Sequence, residues 1–109
     1  MKMKMIIAIV NSDDAGVVNQ SLIKNGFRIT KLPTQGGFLR AGNTTFLIGV
    51  EEEKVQEAID IIREHSKSRK QIIPTTAEMG INFFPAIPVE VMVGGATIFV
   101  LDVDRFEKV

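Results

Sequence analysis

Cysteine, tryptophan and tyrosine are all missing from this chain of 109 residues, and histidine occurs once. Without cysteine there is no disulfide framework, no thiolate nucleophile and no thiolate metal site. The single histidine, His65, stands near Lys67, Arg69 and Lys70 at the end of an expected helix, where positive charge complements the helix dipole. It reads as a capping or solvent-exposed group rather than a metal ligand. Net charge is also missing, since thirteen basic residues balance thirteen acidic ones. No long-range field therefore draws the chain to a nucleic-acid polymer or an anionic membrane.

Long apolar runs are lacking as well. Lys2 and Lys4 precede the run Met5-Ile6-Ile7-Ala8-Ile9-Val10, but it stops at Asn11-Ser12-Asp13-Asp14, short of the roughly 7 to 15 apolar residues of a secretory segment. Nothing approaches the ~20 residues of a membrane span. A cytoplasmic protein with no membrane partner is expected. No nucleophile with an accompanying base stands out, so neither catalysis nor a cofactor or metal is expected. The length suits a single domain over residues 1–109, large enough for a core and small enough for oligomerisation to add usefully to the buried apolar surface.

What the chain does have is Gly36-Gly37-Phe38-Leu39-Arg40-Ala41-Gly42-Asn43-Thr44-Thr45, with three glycines, a guanidinium, an amide and two hydroxyls around one apolar pair. Glycines allow positive φ and close backbone approach, so N–H groups can meet phosphate or carbonyl oxygens. The stretch reads as a small-molecule binding loop, its alternative being an ordinary glycine-rich turn between strands. It is not a P-loop. Gly37 to Thr44 has the glycine spacing, but Asn43 replaces the required lysine and strand chemistry, Phe46-Leu47-Ile48, follows where a helix is needed.

Along the chain, Met5 to Val10 has strand length, and Ala15, Val18 and Leu22 then recur at helical spacing until Asn25-Gly26 stops the pattern. Phe27-Arg28-Ile29-Thr30-Lys31 alternates, giving Arg28 and Thr30 one shared face. That face is either solvated or turned into a pocket. After the strand Thr44 to Val50, Glu51, Glu52 and Glu53 open a helix with the stripe Val55, Ala58, Ile59 and Ile62, closed by the basic run Lys67 to Lys70. A long loop is expected over 66–88, too apolar to be a plain linker, and a short one over 33–43. Val89 to Val93 and Ala96 to Leu101 flank Gly94-Gly95, which reads as a two-residue hairpin. This order suits an α+β, ferredoxin-like βαββαβ sandwich with an extra C-terminal strand. Its helix-free sheet face would be apolar, and a closed oligomer would cover it.

Lys4 to Val10, Lys24 to Leu32, Gly36 to Leu47 and Val89 to Val100 together resemble the PII-like cyclic di-AMP receptors. The pairing of GGFLRAGNTTFL with a later VGGATIFV is the specific part of that resemblance. It implies a PII-like homotrimer that binds cyclic di-AMP in clefts between subunits and signals to an unidentified downstream protein. Relative to nitrogen-regulatory PII proteins, it also implies a short loop at 36–43 and a long one at 66–88.

Carried over position by position, the resemblance places Gly26, Arg28, Thr30, Gly36, Gly37, Phe38, Leu39, Asn43 and Gly49 in the cleft, with Gly94 and Phe99 from the region around the expected hairpin. The residue chemistry agrees. Adenine needs an apolar slab with donors and acceptors at its edge, as Phe38, Leu39, Asn43 and Thr30 can supply. The phosphates need N–H groups and a cation, as Gly36, Gly37 and Arg28 or Arg40 can supply. Two departures from the family pattern bear on affinity. Gly26 stands where a polar side chain contacts the ligand, so only its backbone can serve, and Lys108 stands in place of a tail glutamine. The competing functions are a nitrogen-regulatory type of PII protein binding ATP, and an RNA-binding ferredoxin-like domain. The strand Thr44 to Val50 lacks the basic-aromatic signature that the second would need.

Overall fold

The computed structural model describes residues 2–32, 42–74 and 88–109. Strand β1 (Met3–Asn11) is apolar on both faces and so needs a neighbour on each edge and cover above and below. Asn11 then caps helix α1 (Ser12–Lys24), its side chain accepting from the Asp13 amide at 2.8 Å. Helix α1 buries Ala15, Val18 and Leu22. It ends as the sequence suggests. The Gly26 amide donates to the Ile23 carbonyl and the Phe27 amide to that of Leu22, both at 3.0 Å, with Gly26 at φ +87°, the left-handed termination that favours glycine.

Strands β2 (Ile29–Leu32) and β3 (Asn43–Glu51) follow, then a 3₁₀ turn over Glu52–Lys54 and helix α2 (Val55–Ser66). The acidic residues thus precede α2 rather than form its first turn. Ala58 and Ile62 are fully buried, Val55 and Ile61 pack against the core, and Ile59 is half-buried. His65 does more than cap, since its Nε2 lies 3.0 Å from Ser21 Oγ and ties α2 to α1.

Strands β4 (Arg69–Pro74), β5 (Pro88–Val93) and β6 (Ala96–Asp102) complete the chain. The main sheet is antiparallel in the order β2-β3-β1-β6, and both helices share one layer of core with it: Ile6, Ala8, Val10, Phe46, Ile48 and Val50 from β1 and β3 against Val18, Leu22, Ala58 and Ile62. This is the expected ferredoxin-like order, with two changes. The expected hairpin across Gly94-Gly95 does not form: β5 pairs with β4 in a separate two-stranded ribbon, and β6 pairs with β1. The additional strands are therefore β4 and β5, inserted before the strand that closes the sheet, and no extra strand follows it. Part of the expected long loop is instead strand β4, and residues 75–87 of it lie outside the described residues.

Charge gives a reason for this pairing. Lys70 of β4 answers Glu90 of β5 at 3.5 Å, whereas Ile98-Phe99-Val100-Leu101 carries no charge and sits beside Ile6, Ile7 and Ala8 of β1. The two glycines, at φ +81° and +85°, turn the chain from one sheet into the other. Arg69 also leaves its expected role at a helix terminus and forms a two-pronged pair with Asp14, with its Nη2 3.0 Å from Oδ1 and its Nη1 3.3 Å from Oδ2.

On the sheet face away from the helices, register sets Ile7 between Leu47 and Phe99, and Met5 between Gly49 and Leu101. Phe99 and Leu101 are about half exposed, at 51% and 48%. This face has no cover within the subunit among the described residues.

Candidate functional site

The end of α1, the start of β2 and the C-terminal end of β3 meet around a pocket of about 440 Å³. Three of the expected site residues, Gly26, Arg28 and Gly49, line it together with Met3, Lys54 and Phe106. Each arrives for a local reason. Gly26 terminates α1 and leaves its backbone bare, with open space where a side chain would stand. Gly49 interrupts β3 with the same open space above it, a common mark of close approach by a ligand or another backbone. Arg28 follows Phe27, whose burial against the core fixes the direction of the chain and leaves Arg28 exposed. Among the described residues Arg28 makes no ion pair, so its guanidinium is available to an anion.

A second hollow, of about 350 Å³, lies at the other end of the sheet and is lined by Asn43 and Gly94 together with Ile9, Asn11, Gly95 and Thr97. Asn43 and Gly49 occupy opposite ends of β3, about 20 Å apart at the rise of an extended chain. Within one subunit, then, five of the expected residues fall into two groups on separate surfaces.

Gly94 has a structural reason to be glycine. A Cβ there would sit 2.6 Å from Arg69 Nη1 and 2.8 Å from the Lys67 carbonyl oxygen, so the missing side chain makes room for the Arg69–Asp14 pair. Thr30 is exposed on β2 opposite Leu47, and Phe99 lies on the outer sheet face opposite Ile7. Neither lines the two hollows described. Gly36, Gly37, Phe38 and Leu39 lie outside the described residues.

The roots of both expected loops converge on the first turn of α1. The Ser12 amide donates to the Gly42 carbonyl at 2.6 Å, and Ser12 Oγ lies 2.9 Å from Thr44 Oγ1, so Ser12 holds the exit of the short loop. Two residues on, Asp14 holds Arg69 at the root of the β4–β5 ribbon. Asp14 is 8% exposed, and its carboxylate receives both guanidinium nitrogens in the geometry that makes such pairs strong.

At the far end of β1, Lys4 forms a hydrogen-bonded ion pair with Asp102, the last residue of β6, and Lys2 lies 4.0 Å from the same carboxylate. The hydrogen bond from Lys4, followed by the nearby charges of Lys2 and Lys4, holds the Asp102 carboxyl below the usual carboxylate range. The same bond holds the Lys4 ammonium above its ordinary value.

Lys54 and Phe106 are pocket residues that the sequence reading missed. The available signal was Phe106 itself, an aromatic residue among the charges Asp104, Arg105, Glu107 and Lys108. Among the described residues no group of acidic or histidine side chains is suited to hold a metal ion, and no helix is long and apolar enough to cross a membrane.

Residues 3–109 match the family model described as cyclic-di-AMP receptor. Among solved structures, a protein described as functionally unknown from Pediococcus pentosaceus is similar over 100% of this chain and 99% of its own, with 44% identity and a TM-score of 0.77. The PII protein of Arabidopsis thaliana, solved bound to citrate, is similar over 94% of this chain and 78% of its own, with 24% identity and a TM-score of 0.59. The second likeness is one of fold.

Proposed function

This chain belongs to the cyclic-di-AMP receptor family, and on that premise we propose that it binds cyclic di-AMP in clefts between the subunits of a homotrimer and relays occupancy to a partner protein. The observation that carries this reading is the pocket where Gly26, Arg28 and Gly49 meet, with bare backbone on two sides and an uncommitted guanidinium. A phosphodiester needs such a charge, and a purine needs such an open slot. The division of the expected residues between two ends of the sheet favours a shared cleft, in which one subunit's Arg28 group faces another subunit's Asn43 and Gly94. In this reading Gly36, Gly37, Phe38 and Leu39 of the short loop close over the ligand, and Thr30 and Phe99 approach it from the strands. The protein acts as a receptor rather than a catalyst and needs no cofactor.

Calorimetric titration of the whole protein tests the reading. Cyclic di-AMP is expected to bind once per subunit and more tightly than ATP or a short RNA. Arg28→Ala removes a charge-assisted contact worth about 1.5–3 kcal/mol and should weaken cyclic di-AMP binding by roughly 10- to 150-fold. Tighter binding of ATP would make the protein a regulator of the nitrogen-regulatory PII type, and tighter binding of RNA would make it an RNA-binding domain.

The proposed relay runs through the first turn of α1. The ligand draws contacts from the short loop, whose exit Ser12 holds, and Asp14 on the same turn holds the ribbon beyond α2. Cyclic di-AMP would then shift an existing population of loop conformers and alter the surface offered to the partner. Hydrogen exchange at saturating cyclic di-AMP should show added protection in residues 36–43, in residues 71–88, or in both. Equal exchange with and without ligand in both segments would remove the relay.

A further inference from the structure

We propose that Phe106 is the aromatic wall of the nucleotide pocket, with an adenine base of the ligand stacking on its ring opposite the bare backbone of Gly26 and Gly49. The inference rests on the receptor reading above and adds to it a residue that the family resemblance does not name.

Phe106 lines the pocket that Gly26, Arg28 and Gly49 line, yet its side chain is 60% exposed. An aromatic residue left this open on a concave wall offers a large apolar surface that a flat heterocycle can cover. The facing side is suitably shallow, because an added Cβ at Gly26 or at Gly49 would meet nothing within 4 Å. A pocket of about 440 Å³ with an exposed ring and bare backbone in its lining has room for a planar base. Arg28 and Lys54 line the same pocket, where Glu51 also stands and Lys54 pairs with Glu57 at 3.6 Å, so among the described residues Arg28 is the pocket cation left for the attached phosphate.

The start of the tail is also anchored. The tail leaves β6 at Asp102, which is fastened to Lys4, and the Val103 amide donates to the Met3 carbonyl at 3.2 Å. Phe106 follows four residues after Asp102, past a bend at Asp104, so the anchored segment keeps its ring near the pocket at a lower entropic cost than a free tail would need.

The chain has no tryptophan, so F106W introduces a single indole fluorophore at the proposed contact. Titrating F106W with cyclic di-AMP should change its emission saturably, with a midpoint that matches binding measured by calorimetry. F106A should lose about 5- to 150-fold in affinity, the equivalent of one base stack. F106L, which keeps apolar bulk but no ring, should remain clearly weaker than F106W. Undiminished affinity in F106A or F106L, or an indole that does not respond to ligand, overturns the inference. If R28A still loses binding in those cases, the receptor reading stands without the stacking wall. Failure of the unsubstituted protein to bind cyclic di-AMP overturns both.

Discussion

Ile7→Asp is expected to break the assembly into subunits of 12.0 kDa, whereas light scattering of the unsubstituted protein should return three times that mass. Ile7 lies at the centre of the helix-free sheet face, between Leu47 on β3 and Phe99 on β6, with Met5 and Ile9 beside it along β1. A subunit seldom leaves so continuous an apolar surface open to water, and the closed ring of the proposed trimer would cover it. An aspartate there would enter a packed interface without a partner, which costs several kilocalories per mole at each copy. The fold of the subunit should survive, because the core lies on the other side of the sheet, with Ile6, Phe46 and Ile48 facing the helices. Circular dichroism of the variant should therefore match that of the parent. Cyclic di-AMP binding should fall with the mass if the cleft is shared. A variant that kept the parent's mass would remove the shared cleft from the functional reading.

Gly94→Ala carries the largest expected loss of stability. At φ +81° an L residue is strained by about 1–2 kcal/mol. The new methyl would also meet a carbonyl oxygen of the Lys67 backbone at 2.8 Å and Arg69 Nη1 at 2.6 Å. The carbonyl cannot move away cheaply. If Arg69 moves instead, the nearly buried Asp14 carboxylate loses its bidentate partner. Because Arg69 is half exposed, that loss is well below the 3–5 kcal/mol of a fully buried pair. Together these effects should cost about 2–4 kcal/mol, measurable by urea unfolding. Two comparisons isolate the cause. Gly16→Ala on α1, where φ is ordinary and space is open, should instead stabilise by about 0.5–1 kcal/mol. In an Arg69→Ala background, the cost of Gly94→Ala should shrink by the share that Arg69 carries. If that cost is the same in both backgrounds, the glycine does not serve the ion pair.

Much of the fold was legible because its signals are local. The unbroken run Met5 to Val10 announced a strand, and β1 is one of the two central strands of the sheet, with neighbours on both edges and the helices packed on one face. Ala15, Val18 and Leu22 announced the buried face of α1, and Asn25-Gly26 announced its end. Gly49 was legible as a site residue only through the family resemblance, whereas Arg28 was already marked by the alternation of its strand as a candidate pocket residue, and the fold brings both to one pocket. Phe106 was not legible, since a single aromatic residue in a charged tail has no periodicity to read. Gly94 was read as part of a hairpin turn, but its conformation serves a corner between sheets and the clearance of Arg69.

By itself the sequence determined both helices and every strand of the described residues except β4, that the core lies between one sheet and two helices, and the family to which the chain belongs. These follow from periods of 3.6 and 2.0 residues and from short motifs, which depend on neighbours along the chain. Only the tertiary structure decided that β6 rather than β5 closes the sheet, that Arg69 reaches Asp14, and that the tail carries Phe106 to the Gly26 pocket. Each is a meeting of residues far apart in sequence. Such meetings are selected by register, burial and charge pairing over the whole molecule, and no local pattern encodes them.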